Sequence, residues 1–205
     1  MTRDEAVTTI QRRLSFRQGQ EDNIEKELRN AQFFYEQGPI YPWFLRTTDE
    51  LAFVSGQDEV GVPDGFLEQV EATPMEIYNE EGDVWFPLRR VMSLDEKMRA
   101  EGTPKMYTRN VGGFRFNSTA DEDYRLRLHY YKADVVLNEN VENLWLRYAP
   151  ELLVGRAGNI VAGALRDVEN EAKFLRQTTV AFAQMVGSTR AREVTAQRLV
   201  MGGEN

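Results

Sequence analysis

Residues 105–137, KMYTRNVGGFRFNSTADEDYRLRLHYYKADVVL, constrain the fold more than any other stretch. Tyr124, Leu126, Leu128 and Tyr130 alternate with Arg125, Arg127, His129 and Tyr131. A period of two is the mark of a strand with one buried face. Upstream, Gly112-Gly113 separates Met106–Asn110 from Phe114–Asn117, and paired glycines can supply the positive φ values of a tight hairpin. Ser118–Asp123 reads as a polar, acidic loop. The stretch therefore predicts three strands joined by two turns.

Shorter strands are expected before it. Glu50–Ser55 alternates weakly, Val60–Asp64 ends in a Pro-Asp turn, and Phe66–Ala72 and Met75–Tyr78 flank Thr73-Pro74. Val84-Trp85-Phe86 follows the turn at Glu80–Asp83, and Pro87 suits a strand end. Ser93-Leu94-Asp95-Glu96 is a capping box and predicts a short helix near 93–101, stopped by Gly102.

Both ends read as helical. Ala6, Val7, Ile10 and Leu14 share one face, as do Ile24, Leu28, Ala31 and Tyr35, with Asp22 as candidate cap and Gly38-Pro39 as terminator. After the strands, Asn138 or Asn140 can cap a helix carrying Leu144, Trp145 and Tyr148, and Pro150 suits the first turn of the next. Val161, Leu165, Val168, Ala172, Leu175, Thr179 and Phe182 then alternate steps of four and three. That row fits one long helix or two; two are preferred, with a corner at Arg166-Asp167 and an end at Gly187-Ser188. Gly155, Gly158 and Gly163 are expected to permit close helix packing.

The fold class expected is α+β: a helical bundle formed by the N- and C-terminal helices, with an inserted antiparallel β-sheet or small sandwich. The expected division is 1–45 and 138–187 in the bundle, 46–137 in the β module, and 188–205 as an arm. At 205 residues, with 11 Phe, 8 Tyr and 3 Trp, the chain can bury a core.

Composition narrows function by exclusion. With no cysteine there is no disulfide, thiol nucleophile or thiolate metal site. One histidine, His129, excludes a multi-histidine zinc site and reads as a surface or edge residue. Asp121-Glu122-Asp123 lacks the spacing of a calcium loop and reads as a solvated turn. Gly112-Gly113 opens a strand and is followed by no Lys-Ser or Lys-Thr, so it is no phosphate loop. No catalytic residue, metal ligand or cofactor is assigned. A net charge of −8 argues against tight nucleic-acid binding, yet suits a surface that a polyanion passes without sticking. No apolar run is long enough to span a membrane, and the N-terminus does not resemble a secretory signal, so synthesis and folding in the cytoplasm are expected.

Two places suggest partner contact. IYPWFL, residues 40–45, is either a core plug or an exposed anchor through Trp43 and Phe44. Arg190, Arg192 and Arg198 lie among few apolar residues, and are either a solvated helix face or a basic tail that docks on an acidic partner.

Several segments in order resemble the head-to-tail adaptor (connector or neck) proteins of tailed bacteriophages. They are the helix pair ending in IYPWFL with its Thr-Thr turn, VGVPDGFLEQVEA, WFPLRRVMSLDEKM, the 104–137 strands, and YAPELLVGRAGNIVAGAL. The resemblance covers most of 5–185; the arginine-rich end has no firm counterpart. It implies a non-enzymatic virion protein at the neck, in a ring, usually of twelve, beneath the portal protein. Tail or nozzle proteins dock on it, and DNA passes through its lumen. Two other classes compete: a carboxylate-site hydrolase of the virion, which needs converging acids, and a host regulatory or binding module, which needs one defined pocket or patch.

Overall fold

The computed structural model describes all residues except 18, 72, 95–99, 139–140 and 202–205, with 194–201 described by backbone alone. It is α+β and divides into two compact units: residues 1–45 with 133–205, and Arg46–Lys132.

The first unit is helical. α1 (Arg3–Arg13) opens with a capping box: the Thr2 hydroxyl accepts from the Glu5 amide and Glu5 reaches back to the Thr2 amide. Ala6, Val7, Ile10 and Leu14 are buried, as their spacing predicts. α2 (Glu21–Glu36) buries Ile24, Leu28, Ala31 and Tyr35. Its N-cap is Gln20, without a side-chain bond; Asp22 is no cap and stands in the first turn, where the helix dipole favours an acid. Between them Ser15 and Phe16 take φ of 56° and 51°. α3 (Leu144–Tyr148) is capped by Asn143, whose Oδ1 accepts from the Leu146 amide at 3.1 Å, and not by Asn138. Asn140 is outside the described residues. α4 (Pro150–Ala164) has its proline in the first turn.

The corner falls at 165–167, with Arg166 at φ 57° and Asp167 Oδ1 accepting from the Asn170 amide. α5 then runs Val168–Met201 without a break. The expected end at Gly187-Ser188 is therefore wrong. A mid-helix glycine costs about 1 kcal/mol relative to alanine, and the packing of Met185 and Thr189 on either side outweighs it. The core face of α5 is also another row than the sequence stripe: Phe174, Met185 and Thr189 are buried, whereas Val168, Leu175 and Phe182 are exposed. α4 and α5 lie close because α4 offers glycines. A Cβ on Gly158 would stand 2.5 Å from the Phe174 ring, and one on Gly155 2.4 Å from Thr178 Oγ1.

The second unit is built of strands. β1 (Arg46–Phe53), β3 (Phe66–Gln69), β4 (Met75–Asn79) and β5 (Val84–Pro87) form a five-stranded antiparallel sheet around β11 (Tyr124–Lys132). β1 lies along one edge of β11 over its first eight residues, and β4 and β3 share the other. A second sheet has the order β2 (Glu59–Gly61), β9 (Gly113–Phe116), β8 (Met106–Arg109), β6 (Arg89–Arg90). β7 (Ala100–Glu101) and β10 (Ser118–Thr119) pair in parallel, as do β6 and β8, so the pairing is not wholly antiparallel.

β10 replaces part of the loop expected at 118–123, and β7 stands where the end of a short helix was expected. Ser93 and Leu94 are not helical, and the remainder of that expected helix, 95–99, is outside the described residues. Alternation in β11 places Tyr124, Leu126, Leu128 and Tyr130 in a core with Phe53, Met75, Tyr107, Phe114 and Phe116. Phe53 and Phe116 pack at 4.5 Å between ring centroids. Gly112 and Gly113 do not take positive φ; the turn is held by Asn110 Oδ1, which accepts from both their amides. Gly113 has a different reason: a Cβ there would stand 2.3 Å from the Val60 carbonyl oxygen on β2.

Candidate partner-docking surface

Trp43 and Phe44 lie on a 3-10 turn, Trp43–Leu45. Phe44 is buried; its ring stacks on Tyr148 at 5.5 Å and meets Trp145 edge-on at 5.2 Å. It is the core plug of the two readings. Trp43 is half-buried and packs on Tyr148 at 5.0 Å. The guanidinium of Arg192 stands 3.6 Å over its ring, and the Trp43 amide donates to Thr189 Oγ1 at 3.3 Å. Two residues 149 positions apart, each singled out separately in the sequence, thus meet. Such cation–π contacts contribute roughly 0.5–1 kcal/mol at exposed sites.

Arg192 is therefore held on α5 and is not part of a loose arm. Arg190, two residues back and so about 200° around the helix, is exposed. The Arg198 side chain is outside the described ones. Tyr148, 44% exposed and capped by Arg147 at 5.2 Å, extends the patch. Nothing in the sequence around Tyr148 marked it beyond the helical spacing.

Beneath this patch lies a buried polar cluster that the sequence did not reveal. Glu36 Oε1 accepts from Trp145 Nε1 at 2.9 Å, from Gln32 Nε2 and from the Asp134 amide at 3.0 Å each. Gln32 also donates to the carbonyls of Asp134 and Val135, and its Oε1 accepts from Asn143 and the Leu137 amide. The Asp134 carboxylate caps α3 by accepting from the Leu144 amide. Burial pushes the Glu36 carboxyl above its ordinary range, opposed by the hydrogen bonds from Gln32, Trp145 and the Asp134 amide. Asp134 is raised by burial as well. The groups are satisfied by one another and by backbone, which is how a fold tolerates buried carboxyls. They fasten 134–145 to α2.

An apolar groove of about 390 Å³ opens beside it, lined by Phe34, Tyr35, Gln37, Gly38, Pro39, Ile40 and Phe182. On the β unit, the outward face of β11 carries a charge-aromatic ladder. Arg127 lies 3.8 Å over Trp85 and Arg125 4.8 Å over Tyr78, while Glu50 pairs with Arg125 at 2.7 Å. His129 bridges Thr48 Oγ1 at 2.8 Å and Glu76 at 3.0 Å. Asp121 accepts from the Tyr124 hydroxyl, and Asp123 from the Ser55 amide, so these acids pin a turn. Among the described residues no three His, Cys, Asp or Glu side chains gather as a metal site would require. No helix among them is long and apolar enough to cross a membrane.

Aromatic rings, arginines and an apolar groove on rigid helices define a surface for protein contact. The family model of the SU10 adaptor protein matches residues 1–201, and the chain belongs to that family. No curated protein matches it. The resemblance to phage head-to-tail adaptors is thereby borne out, and the role is that of a structural adaptor component of a bacteriophage virion, in contact with other head or tail proteins.

Proposed function

We propose that this chain is a subunit of a ring, twelve copies when assembled, that joins the portal protein to the tail or nozzle proteins and lets DNA pass through its lumen without specific binding. In this reading the terminal helices, 1–45 and 138–187, form a bundle that makes the subunit contacts, and 46–137 is a small sandwich whose loops meet the next tail component. Trp43, Phe44, Arg190, Arg192 and Arg198, with the segment 188–205, serve the portal side: Phe44 as the buried support of Trp43, the arginines as the charged rim. No cofactor takes part, no reaction is catalysed, and no membrane is involved.

The observation that carries the reading is the distribution of charge in a chain of this family. Residues 46–132 hold 17 acidic and 11 basic side chains, whereas the rest of the chain holds 16 and 14. An acidic module repels a passing polyanion, while the near-balanced helices, with Arg190 free of any described ion pair, suit protein contact. Electron microscopy of the particle containing this chain tests the ring directly. Portal binding tests the surface: deletion of 188–205 is expected to abolish it, and Arg190→Glu to weaken it with the helix content unchanged. Full affinity in both variants would overturn the portal-side assignment.

A further inference from the structure

α5 has two apolar faces; its own fold buries one and touches the other at Phe182, whose ring stacks on Tyr35 at 6.3 Å. Phe174, Met185 and Thr189 are buried. The other row, Val168, Ala172, Leu175, Thr179, Phe182 and Val186, repeats in steps of four and three, the spacing of a coiled-coil seam. Val168, Leu175 and Phe182 are 73%, 56% and 37% exposed. With Leu175 at a d position, the g positions are Glu171, Thr178 and Met185. Glu171 packs at Gly163 and Thr178 at Gly155, so both are turned toward α4, and Met185 is buried. The e positions, Glu169, Arg176, Ala183 and Arg190, face solvent.

We propose that in the free protein a second copy of this chain covers the seam, α5 against α5 and antiparallel. An antiparallel pair sets e against e on one flank and g against g on the other, so the solvent-facing e rows meet and both α4 helices lie along the opposite flank. A parallel pair would set every e against a g, and the g row is taken up by the chain's own packing here. The charges select the same arrangement. With Thr179 layered on Phe182 of the second copy, Glu169 comes level with Arg190, and the twofold axis repeats the pair. Parallel alignment would place the e rows on opposite flanks, with Arg190 beside Met185 of the second copy and away from Glu169. Phe182 also borders the apolar groove of Phe34, Pro39 and Ile40, so the groove of each copy adjoins the axis and enlarges the covered surface.

Such a pair uses the same patch twice, whereas a closed ring joins unlike patches. It therefore belongs to the unassembled subunit and opens when the ring forms, keeping an apolar row covered until then. This goes beyond the ring reading, and its test requires no portal.

Sedimentation equilibrium of the full chain is expected to give twice the monomer mass in the micromolar range. Leu175→Glu, at a position more than half exposed, is expected to give a monomer with unchanged circular dichroism. The natural chain has no cysteine, so Glu169→Cys mixed with Arg190→Cys and a short thiol-to-thiol linker reads the alignment: a mixed dimer forms, and Glu169→Cys alone gives none. A wild-type monomer, a Leu175→Glu dimer, or a linked Glu169→Cys homodimer would each overturn the proposal, and each would leave the portal-bound ring untouched.

Discussion

The two units solve the burial problem in opposite ways. The β unit gathers aromatic rings inside: Phe53, Tyr107, Phe114, Phe116 and Tyr130 are nearly or wholly inaccessible. The phenols reach partners there, Tyr107 with Gln69 and Tyr130 with Asp49, so no ring is buried at the expense of its hydroxyl. Its charges lie outward, paired across the sheet. The helical unit reverses this. It buries a carboxylate, a carboxamide and an indole together, and leaves Phe16, Phe33, Val168, Leu175 and Val180 outside. Both units leave large apolar side chains outside, Phe86, Met92 and Val111 in the β unit among them; what separates the two is the carboxylate that the helical unit buries against an indole and a carboxamide.

That contrast can be broken most forcefully by truncating one ring in each unit. Trp145→Ala and Phe116→Ala each remove a side chain with almost no exposure, at a cost of about 3–5 kcal/mol. Hydrogen exchange is expected to lose protection in α2–α4 for the first and in β8–β11 for the second. Loss spread evenly over both units in either variant would erase the distinction between them.

Next in size is Gly158→Val. Its side chain meets the Phe174 ring, and overpacking of this kind costs about 1–3 kcal/mol, seen as a lower thermal midpoint for helical signal. Gly187→Ala, with open space around the glycine, is expected to be neutral or stabilising, by up to about 1 kcal/mol.

Acid acts with opposite sign on the Glu36 cluster and on the β sheet. Glu36 and Asp134 are raised, so these two carboxyls bind more protons in the folded than in the unfolded chain, while Asp167, at the α4–α5 corner, is lowered by its hydrogen bonds from Asn170 and acts the other way. The contribution of Glu36 and Asp134 is full below the ordinary carboxyl values of 4.5 and 3.8 and is lost as pH rises through the native values. Glu50, on the β sheet, is lowered by the Arg125 hydrogen bond; its contribution is present above 4.5 and is lost as pH falls. Glu36→Gln is expected to flatten the helical unit's dependence and leave that of the β unit intact in pH-stepped denaturant titrations. The smallest effect belongs to Arg192→Ala, about 0.5–1 kcal/mol, detectable as faster amide exchange beyond residue 188.

How much of this stood in the sequence depends on distance along the chain. The alternation in β11 is written in nine adjacent residues, and the faces of α1 and α2 in fewer than twenty each, so those could be read directly. The parallel pairs β6–β8 and β7–β10 join short segments with no periodicity of their own. Gly112-Gly113 resembled a positive-φ turn because nothing local shows that β2 approaches Gly113. The α5 row was visible as a seam, but a heptad does not say whose helix it faces. Trp43 and Arg192 were each noticed, yet their meeting is a tertiary fact. The Glu36 cluster joins side chains about a hundred residues apart, and no local pattern announces it.

The turn at Trp43 has one more consequence. α5 crosses its glycine before it reaches Thr189 and Arg192, and the indole and the amide at position 43 both hold the stretch beyond. Protease cutting past residue 187 therefore becomes a gauge of what sits on that indole: a competitor for its face would release the helix end, and a partner clamping both would silence the cleavage.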